Sequence, residues 1–334
     1  MPAAKRNRRS GGRRYLASFM SGIEPLVGSL LPRVLPGARL RHIEPGYVLF
    51  DYAGAEAELV TVPLFNNLFR LLYEGRALPF ERLVEEVGRR RLSHGQVEGT
   101  FRLRFQHEGR LTRVAPETMA RAERIVAEAT GARPDRVNPD TEFWYITRRS
   151  GAAWYGRRLA RQRRTERDLA PGELRPELAW LLVALARPRA GEVLLDPFAG
   201  SGAIGRAAAD FAFKRMYLSD MDAARVDSWP QEARFVGMVA DARRLEAIPD
   251  GSVDAIVTDP PWGLYEAIDV AGLYRDFVAE AGRVLRDRGR LILLSGAVAQ
   301  WQQAAEAEGF QIAGRWDILV NGRQAAIFAC MKGR

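Results

Sequence analysis

Four aspartates occur in succession in the second half of the chain, each after a short apolar run. They are Asp196, Asp220, Asp241 and Asp259. Apolar runs that alternate with helical segments predict a parallel sheet, and the carboxyl ends of such strands line one ligand-binding crevice. A single aspartate at a strand end is often a helix cap. Four of them, at intervals of 24, 21 and 18 residues, indicate a polar binding site.

The first aspartate begins a glycine-rich segment, Asp196-Pro-Phe-Ala-Gly-Ser-Gly-Ala-Ile-Gly205. Its glycines allow backbone N–H groups to approach a ligand closely, and the N-terminus of the following helix favours negative charge. This pattern alone suits a nicotinamide dinucleotide equally well. Asp220 lies about 20 residues beyond the glycines, where a carboxylate can accept hydrogen bonds from ribose hydroxyls.

The fourth aspartate begins the segment Asp259-Pro-Pro-Trp-Gly263. Two prolines hold the backbone extended, so the Asp259 carboxylate and the Pro260 carbonyl can face one point. Two acceptors suit the two hydrogens of an exocyclic amino group. Trp262 offers a flat face for a planar base, and such stacking contributes about 1–3 kcal/mol. The alternative is a proline turn with a core tryptophan, but the position at a strand end favours chemistry on a nucleobase.

These two segments resemble the S-adenosylmethionine-dependent amino methyltransferases, and more closely the THUMP-associated RNA guanine-N2 methyltransferases. In that family a glycine commonly follows the Pro-Pro-aromatic element, as Gly263 does here. The front half is more loosely similar to the family's RNA-binding portion, and residues 172–176 resemble the segment that covers the cofactor. Two positions depart from the family pattern: Ala199 stands where many relatives have cysteine, and Trp262 where many have tyrosine.

The resemblance implies a cofactor, S-adenosylmethionine, and a role for each site residue. Asp220 would hold the ribose of the cofactor, and Asp241 with Ala242 the adenine amino edge. The residues that would hold its methionine part are Asp196, Pro197, Phe198, Gly200, Ser201 and Gly202. The residues that would hold the target base are Asp259, Pro260 and Trp262. The implied reaction is direct methyl transfer to the exocyclic N2 of a guanine in structured RNA, with transfer RNA preferred and ribosomal RNA possible.

The fold class expected for the second half is α/β, a Rossmann-like doubly wound methyltransferase sheet. Two further strands without a helix between them should close it, and one of these should be antiparallel. Cys330 lies in the last of them, where we expect a buried thiol without chemistry. The predicted strands are Glu192–Asp196, Arg215–Asp220, Phe235–Val239, Asp254–Asp259, Arg290–Ser295, Gln311–Ile318 and Gln324–Met331.

A smaller α+β domain, THUMP-like by the resemblance, is expected before this sheet. Strands are predicted at 46–52 and 100–106, with a hairpin formed by 142–147 and 152–156. Helices are predicted at 62–72 and 116–130. The expected organisation is a disordered basic tail at 1–14, the RNA-binding region at 15–159, a connector and helix at 160–187, and the methyltransferase domain at 188–334.

Charge separates the two halves of the 334-residue chain. Residues 1–190 contain 34 Lys and Arg against 21 Asp and Glu, whereas residues 191–334 contain 16 against 20. A basic front half favours a polyanionic partner such as RNA, although arginine bias in composition is an alternative. The arginines expected to contact phosphates are Arg102, Arg104, Arg148, Arg149, Arg157 and Arg158; a solvated arginine face is the alternative for each.

Composition excludes several other classes. One cysteine and three scattered histidines leave no disulfide framework and predict no metal site. The longest apolar run has nine residues, whereas a membrane helix needs about 20. With no secretory signal apparent, a cytoplasmic protein without a membrane partner is expected. Nothing in the sequence demands a dimer, and the oligomeric state stays open.

Three other functions are compatible with parts of the pattern. A DNA adenine-N6 or cytosine-N4 methyltransferase uses the same pocket logic, but no DNA target-recognition insert is recognisable. An NAD-dependent oxidoreductase is favoured only by the glycine pattern. A noncatalytic RNA-binding protein with a methyltransferase shell is disfavoured by the intact segment from Asp259 to Trp262.

Overall fold

The structure is a computed structural model that describes residues 12–161, 169, 173–229, 233–263, 268–320 and 322–333. These residues form two compact units. The first contains residues 12–20 and 24–161, and the second contains residues 21–23, 169 and those from 173 onward. No helix within the described ranges is long and apolar enough to cross a membrane.

The first unit is built on a mixed sheet with the strand order β2-β3-β1-β4-β9-β8-β5-β6, and β7 also pairs with β5. Its strands are β1 (Arg13–Ser18), β2 (Arg39–Glu44), β3 (Tyr47–Tyr52), β4 (Asn67–Arg76), β5 (Thr100–His107), β6 (Arg110–Leu111), β7 (Arg133–Pro134), β8 (Thr141–Thr147) and β9 (Ala152–Arg161). Its helices are α1 (Glu24–Val34), α2 (Glu56–Val60), α3 (Phe80–Gly88) and α4 (Pro116–Thr130).

Several local predictions for this unit are confirmed. β5 alternates as expected, with Phe101, Leu103 and Phe105 buried in a core shared with α3 and α4. Helix α4 has the predicted bounds and ends at Gly131, whose φ of +75° forms the left-handed cap. The predicted hairpin is the antiparallel pair β8–β9.

The helix predicted at 62–72 is wrong. This region contains the first half of β4, which pairs with β1 on one side and β9 on the other. A short apolar run has a period compatible with a helix or with a buried strand. The residues from Asn67 onward form a strand because they pair with β1 on one side and with β9 on the other.

Two predicted boundaries also differ from the structure. Arg13 and Arg14, placed in the disordered tail by the sequence, begin β1 opposite Tyr52 and Asp51; residues 1–11 lie outside the described part. β9 continues through Arg161 because it stays paired with β4, so the strand extends past the boundary expected at 159. Residues 162–168 and 170–172 of the predicted connector also lie outside the description.

The second unit has the sheet order β12-β11-β10-β13-β14-β16-β15. Its strands are β10 (Val193–Asp196), β11 (Arg215–Asp220), β12 (Phe235–Val239), β13 (Val253–Thr258), β14 (Leu285–Ser295), β15 (Gln311–Val320) and β16 (Arg323–Met331). Its helices are α5 (Pro176–Leu185), α6 (Ala203–Ala208), α7 (Ala223–Ser228), α8 (Val270–Val284) and α9 (Val298–Ala307).

This sheet is the predicted doubly wound α/β fold. The five neighbouring strands β12, β11, β10, β13 and β14 are parallel. Strand β16 is antiparallel to both β14 and β15, and one antiparallel strand was expected among the last two. Cys330 in β16 is buried, and burial raises the pKa of its thiol to about 12. The chain winds outward from β10 through α6 to β11, and in the opposite direction from β13 through α8 to β14. The crevice of a doubly wound sheet opens at this reversal, between the carboxyl ends of β10 and β13.

Candidate active site

Asp196 ends β10 at the reversal of the sheet and is almost completely buried. Its Oδ1 accepts hydrogen bonds from Thr258 Oγ1 at 2.8 Å and from the Phe198 backbone N–H at 3.3 Å. Its Oδ2 is buried and has no partner among the described residues. Burial raises the pKa of Asp196 to about 7, and the nearby charges of Asp259 and Asp220 act in the same direction. A buried carboxylate oxygen without a donor is costly, so this oxygen is suited to a ligand.

The glycine-rich loop after Asp196 is tied to the second aspartate. Gly200 and Gly202 have φ values of +52° and +76°, a conformation in which other residues are strained. The Gly200 N–H donates to Asp220 Oδ2 at 2.9 Å, and the Asp222 N–H donates to Asp220 Oδ1 at 3.0 Å. The loop and the end of β11 therefore hold each other in place.

The other predicted residues of this loop lie in different environments. Pro197 is buried, and its carbonyl accepts a 3.4 Å hydrogen bond from Ser219 Oγ. Phe198 packs edge-to-face on Phe277, with ring centroids 5.1 Å apart. Ser201 is exposed, and its backbone carbonyl accepts a hydrogen bond from Arg206 Nη1 at 2.5 Å.

Asp241 lies two residues beyond β12, and its carboxylate is engaged within its own turn. It accepts hydrogen bonds from the Arg243 backbone N–H at 2.9 Å and from the Arg243 guanidinium at 2.6–3.0 Å, which lowers the pKa of Asp241. These four hydrogen bonds engage both carboxylate oxygens, and a carboxylate has about four acceptor positions, so another donor would compete with Arg243. Ala242 is buried in the core of the sheet.

Two exposed apolar side chains near the first aspartates were missed by the sequence analysis. Met221 follows Asp220 directly and is 69% exposed, and Val239 ends β12 in register with Asp220 and is 58% exposed. Both stand where the strands end and could cover a flat apolar surface. The signal was available in the predicted strands, because Met221 directly follows one of them and Val239 is the last residue of the next.

Asp259 follows β13 and is held by the tryptophan of its own segment. The Trp262 Nε1–H donates to Asp259 Oδ1 at 2.9 Å. Burial raises the pKa of Asp259 to about 7, while the hydrogen bond from Trp262 acts to lower it. The indole is half-buried and lies on Gly296, where a Cβ would be only 2.5 Å from Trp262 Cε3. Trp262 therefore orients the carboxylate in addition to presenting an aromatic ring.

A chain of hydroxyl groups supports this segment from inside the fold. Tyr274 OH lies 3.0 Å from the Pro261 carbonyl and 2.8 Å from Ser295 Oγ, which in turn accepts from the Ala297 N–H at 2.9 Å. The carbonyl can only accept, so Tyr274 donates to it and Ser295 donates to Tyr274. Nothing in the local sequence marks these residues, because α8 and the end of β14 meet the segment only in the folded unit.

The site therefore joins three of the four predicted aspartates. Asp196 contacts β13 through Thr258 and is affected electrostatically by Asp220 and Asp259, whereas Asp241 lies beside the outermost strand β12. Pro260 is buried at the start of the fourth segment. Within the described ranges, no group of three or more His, Cys, Asp or Glu residues is arranged to hold a metal ion.

Comparison with known proteins identifies the second unit. Residues 161–222 and 224–316 match the family model described as UPF0020, RMKL-like, methyltransferase domain. The second unit carries a methyltransferase domain. Over its length the chain is also similar to the crystal structure of TrmN from Thermus thermophilus, with a TM-score of 0.75 and 27% identity over 96% of this chain and 99% of that one.

Two curated relatives have similar sequences. One is a tRNA (guanine(6)-N2)-methyltransferase from Thermus thermophilus, 32% identical over 59% of this chain and 62% of the relative. The other is a tRNA (guanine(10)-N2)-dimethyltransferase from Methanothermobacter thermautotrophicus, 34% identical over 37% of this chain and 38% of the relative. The matched regions thus span less than two thirds of either relative.

The crevice residues of the methyltransferase domain fit S-adenosylmethionine, the cofactor of this domain. Asp196 Oδ2, which is buried and accepts no hydrogen bond from the described residues, is suited to a cationic donor. Gly200 and Gly202 contribute no side chains to the loop, so its backbone can approach a ligand closely at these positions. Asp220 accepts one hydrogen bond on each oxygen and therefore has further acceptor positions.

The arginines of the first unit differ from the expected open phosphate-binding face. Glu142, which is 5% exposed, is ion-paired with Arg102 and Arg158 and lies 4.0 Å from Arg104. Arg148 is paired with buried Glu44, at 2.9 Å. These four guanidinium groups neutralise carboxylates inside the unit. A count of arginines in the sequence therefore overestimates the positive charge that is available to an RNA partner.

Proposed function

We propose that the chain transfers a methyl group from S-adenosylmethionine to the exocyclic N2 of a guanine in structured RNA, with transfer RNA as the expected substrate. The observation that carries the proposal is the segment from Asp259 to Trp262, which presents a half-buried carboxylate with a raised pKa and an oriented indole beside the cofactor crevice. The two curated relatives named as tRNA guanine-N2 methyltransferases support the choice of base and of RNA.

The cofactor is assigned to the crevice residues as follows. Asp196 Oδ2 would accept from the ammonium group of the methionine part, next to the backbone of 197–202. Asp220 would accept from the ribose hydroxyls. Asp241 and the backbone of Ala242 would meet the adenine amino edge, with Met221 and Val239 as apolar neighbours. When bound, the cofactor supplies a methyl group activated by its positively charged sulfur.

The target amino group is assigned to Asp259 and the Pro260 carbonyl. The lone pair of a guanine N2 is delocalised into the ring, so the nitrogen attacks well only when it is held in a suitable orientation. Two acceptors orient both N–H bonds, and placing the reacting atoms about 3–3.5 Å apart accounts for much of the acceleration. Asp259 would accept the proton that the amino group loses when it takes the methyl group supplied by the cofactor, and would pass that proton to solvent. A carboxylate with a pKa near 7 is well matched to this task at neutral pH.

A base inside a duplex cannot reach this segment, so the target guanine must lie in a loop or flip out of its stack. The first unit is assigned the THUMP-like role of binding the RNA. Recognition through phosphates reads shape more than sequence, which suits a substrate with a defined tertiary fold.

The test is a methyl-transfer assay with labelled S-adenosylmethionine on unmodified tRNA, ribosomal RNA and duplex DNA, followed by digestion to nucleosides and mass spectrometry. N2-methylguanosine from tRNA is the expected product. Methylated adenine or cytosine from DNA would overturn the proposal in favour of a DNA methyltransferase. N2-methylguanosine from ribosomal RNA alone would support the proposed reaction but would make ribosomal RNA, rather than tRNA, the substrate.

A further inference from the structure

Two arginines of the first unit stand directly opposite each other on neighbouring strands. Arg70 of β4 and Arg157 of β9 are paired in register. Like charges in this position destabilise a sheet. The folded unit therefore keeps a repulsion that a single neutral replacement would remove.

Among the described residues, Arg70 has a carboxylate partner, and Arg157 has a carbonyl partner instead. Arg70 donates through Nε and Nη2 to Glu56, which also accepts from Tyr15 OH. Arg157 donates through Nη1 to the Gln96 carbonyl at 2.8 Å. Within the described part of the chain, no carboxylate lies within 4 Å of the Arg157 guanidinium. Burial and the charge of Arg70 lower the pKa of Arg157, and the opposing charge of Glu56 offsets them only in part.

Both guanidinium groups meet at one glycine. A Cβ at Gly95 would lie 3.0 Å from Arg70 Nη1 and 3.4 Å from Arg157 Nη1. Gly95 also has a φ of +73°, so any other residue would be strained and would place a side chain between the two arginines. Arg70 turns its Nε and Nη2 to Glu56, which leaves Nη1 on the side of Gly95.

We infer that Arg70 and Arg157, beside exposed Gly95, form a phosphate-binding site that contacts the backbone of the RNA substrate. Two planar guanidinium groups that converge on one point match the geometry of a phosphate oxyanion. Net charge favours the same ligand, because Glu56 is paired with exposed Arg13, at 3.9 Å, as well as with Arg70, and Arg157 is a third cation beside them. The identification of the ligand as an RNA phosphate rests on the proposed function. The arrangement of the two arginines is independent of that function.

The site distinguishes Arg157 from the other arginines expected to contact RNA. Arg102, Arg104, Arg148 and Arg158 are close to buried carboxylates. Arg157 is the neighbour of Arg158 in sequence, but it points to the opposite side of β9, as successive strand residues do.

The first arm of the test needs no RNA. Thermal unfolding of the full chain is measured in sodium phosphate and in sodium chloride of equal ionic strength, for the wild type, Arg157→Gln and Arg157→Glu. The matched control is Arg124→Gln, which removes an exposed charge from α4. Phosphate should raise the Tm of the wild type and of the control by the same amount through binding. Arg157→Gln should lose that increment and have at least the wild-type Tm in chloride, and Arg157→Glu should be more stable still because it can pair with Arg70.

The second arm measures binding of unmodified tRNA as a function of salt. Arg157→Gln should weaken binding about 10-fold and reduce the slope of log K against log salt by about one, and Arg124→Gln should change it less than 2-fold. Equal losses of tRNA affinity in Arg157→Gln and Arg124→Gln would show that RNA is attracted by the overall positive charge and would overturn the proposed site. A lower Tm of Arg157→Gln in chloride, with an unchanged response to phosphate, would make Arg157 a structural donor to Gln96 and overturn the inference.

The two proposals fail in different ways. A phosphate response that depends on Arg157 in a chain that methylates no RNA would leave the anion site standing and remove the proposed function. Methylated guanosine without any phosphate response would remove the site alone.

Discussion

The Trp262 indole donates a hydrogen bond through Nε1 to Asp259 Oδ1 at 2.9 Å, within one four-residue segment. The family resemblance leads one to expect a tyrosine at this position. The indole of Trp262 has an N–H group in its ring that donates to the carboxylate, and a phenyl ring has no such donor. This contact connects the aromatic and acidic parts of the candidate active site.

Trp262→Phe removes this donor while keeping an aromatic face. Since the hydrogen bond lowers the pKa of Asp259, its loss should raise that pKa and move the acid limb of the pH–rate profile to higher pH. We also expect kcat to fall about 10-fold at neutral pH from poorer orientation of the carboxylate. The measurement is the pH dependence of methyl transfer, with Trp316→Phe on β15 as the control. An unshifted profile would assign Trp262 to stacking alone.

Methyl transfer by the wild type should increase as the pH rises through about 7. Burial raises the pKa of Asp259 to about 7, and the proposed role needs the ionised carboxylate, so activity follows the deprotonated fraction. Asp259→Asn should lower kcat at least about 100-fold and remove this limb, while cofactor affinity measured by calorimetry stays within about 2-fold. A variant with wild-type turnover would exclude Asp259 from the reaction.

Asp196→Asn should separate cofactor binding from stability. Burial raises the pKa of Asp196 to about 7 in the folded state, so the folded state binds more protons than the unfolded state between about pH 4 and 7. Stability therefore falls as the pH rises through this window, by about 1.4 kcal/mol for each unit of pKa difference.

The asparagine variant does not ionise and should lack that loss. Without cofactor it should be more stable than the wild type at pH 8 and similar below pH 4 in denaturant titrations. Its affinity for S-adenosylmethionine should fall roughly 100-fold, because a buried charge-assisted partner is removed. Equal stability at pH 8 would show that the carboxylate is solvated rather than buried.

Tyr274→Phe should impair turnover without affecting substrate binding. The variant leaves the Pro261 carbonyl without its donor, so the segment that carries Asp259 loses one of its supports. We expect kcat to fall about 5- to 10-fold with KM for RNA and cofactor unchanged, consistent with a loss of about 1–1.5 kcal/mol of orientation.

Ser295→Ala should have a similar effect, since its hydroxyl donates to Tyr274. The double variant should lose little more than either single variant, because both act through one chain of hydrogen bonds. Tyr217→Phe, a substitution on β11, is the control. Additive losses, or a rise in KM alone, would contradict a positioning role.

Much of the second unit could be predicted because its local patterns and its tertiary pairing agree. β13 consists of six buried residues, as expected for a strand covered on both faces of a parallel sheet. The strand ends then place the aspartates by geometry, since parallel strands end at one edge. The helix expected at 62–72 failed because the choice between helix and strand rested on partners far away in sequence, β1 and β9.

The sequence by itself determined the α/β architecture of the methyltransferase domain, the two segments that begin at Asp196 and Asp259, and the basic bias of the front half. These depend on short-range periodicity and on the chemistry of neighbouring residues. Only the tertiary structure decided which charges are available. Arg158 and Arg102 meet Glu142 from different strands, Arg157 meets Arg70 across a strand pair, and Tyr274 reaches the Pro261 carbonyl from α8. Such contacts join residues that are distant in the chain, and their partners are set by strand register and helix packing rather than by local sequence.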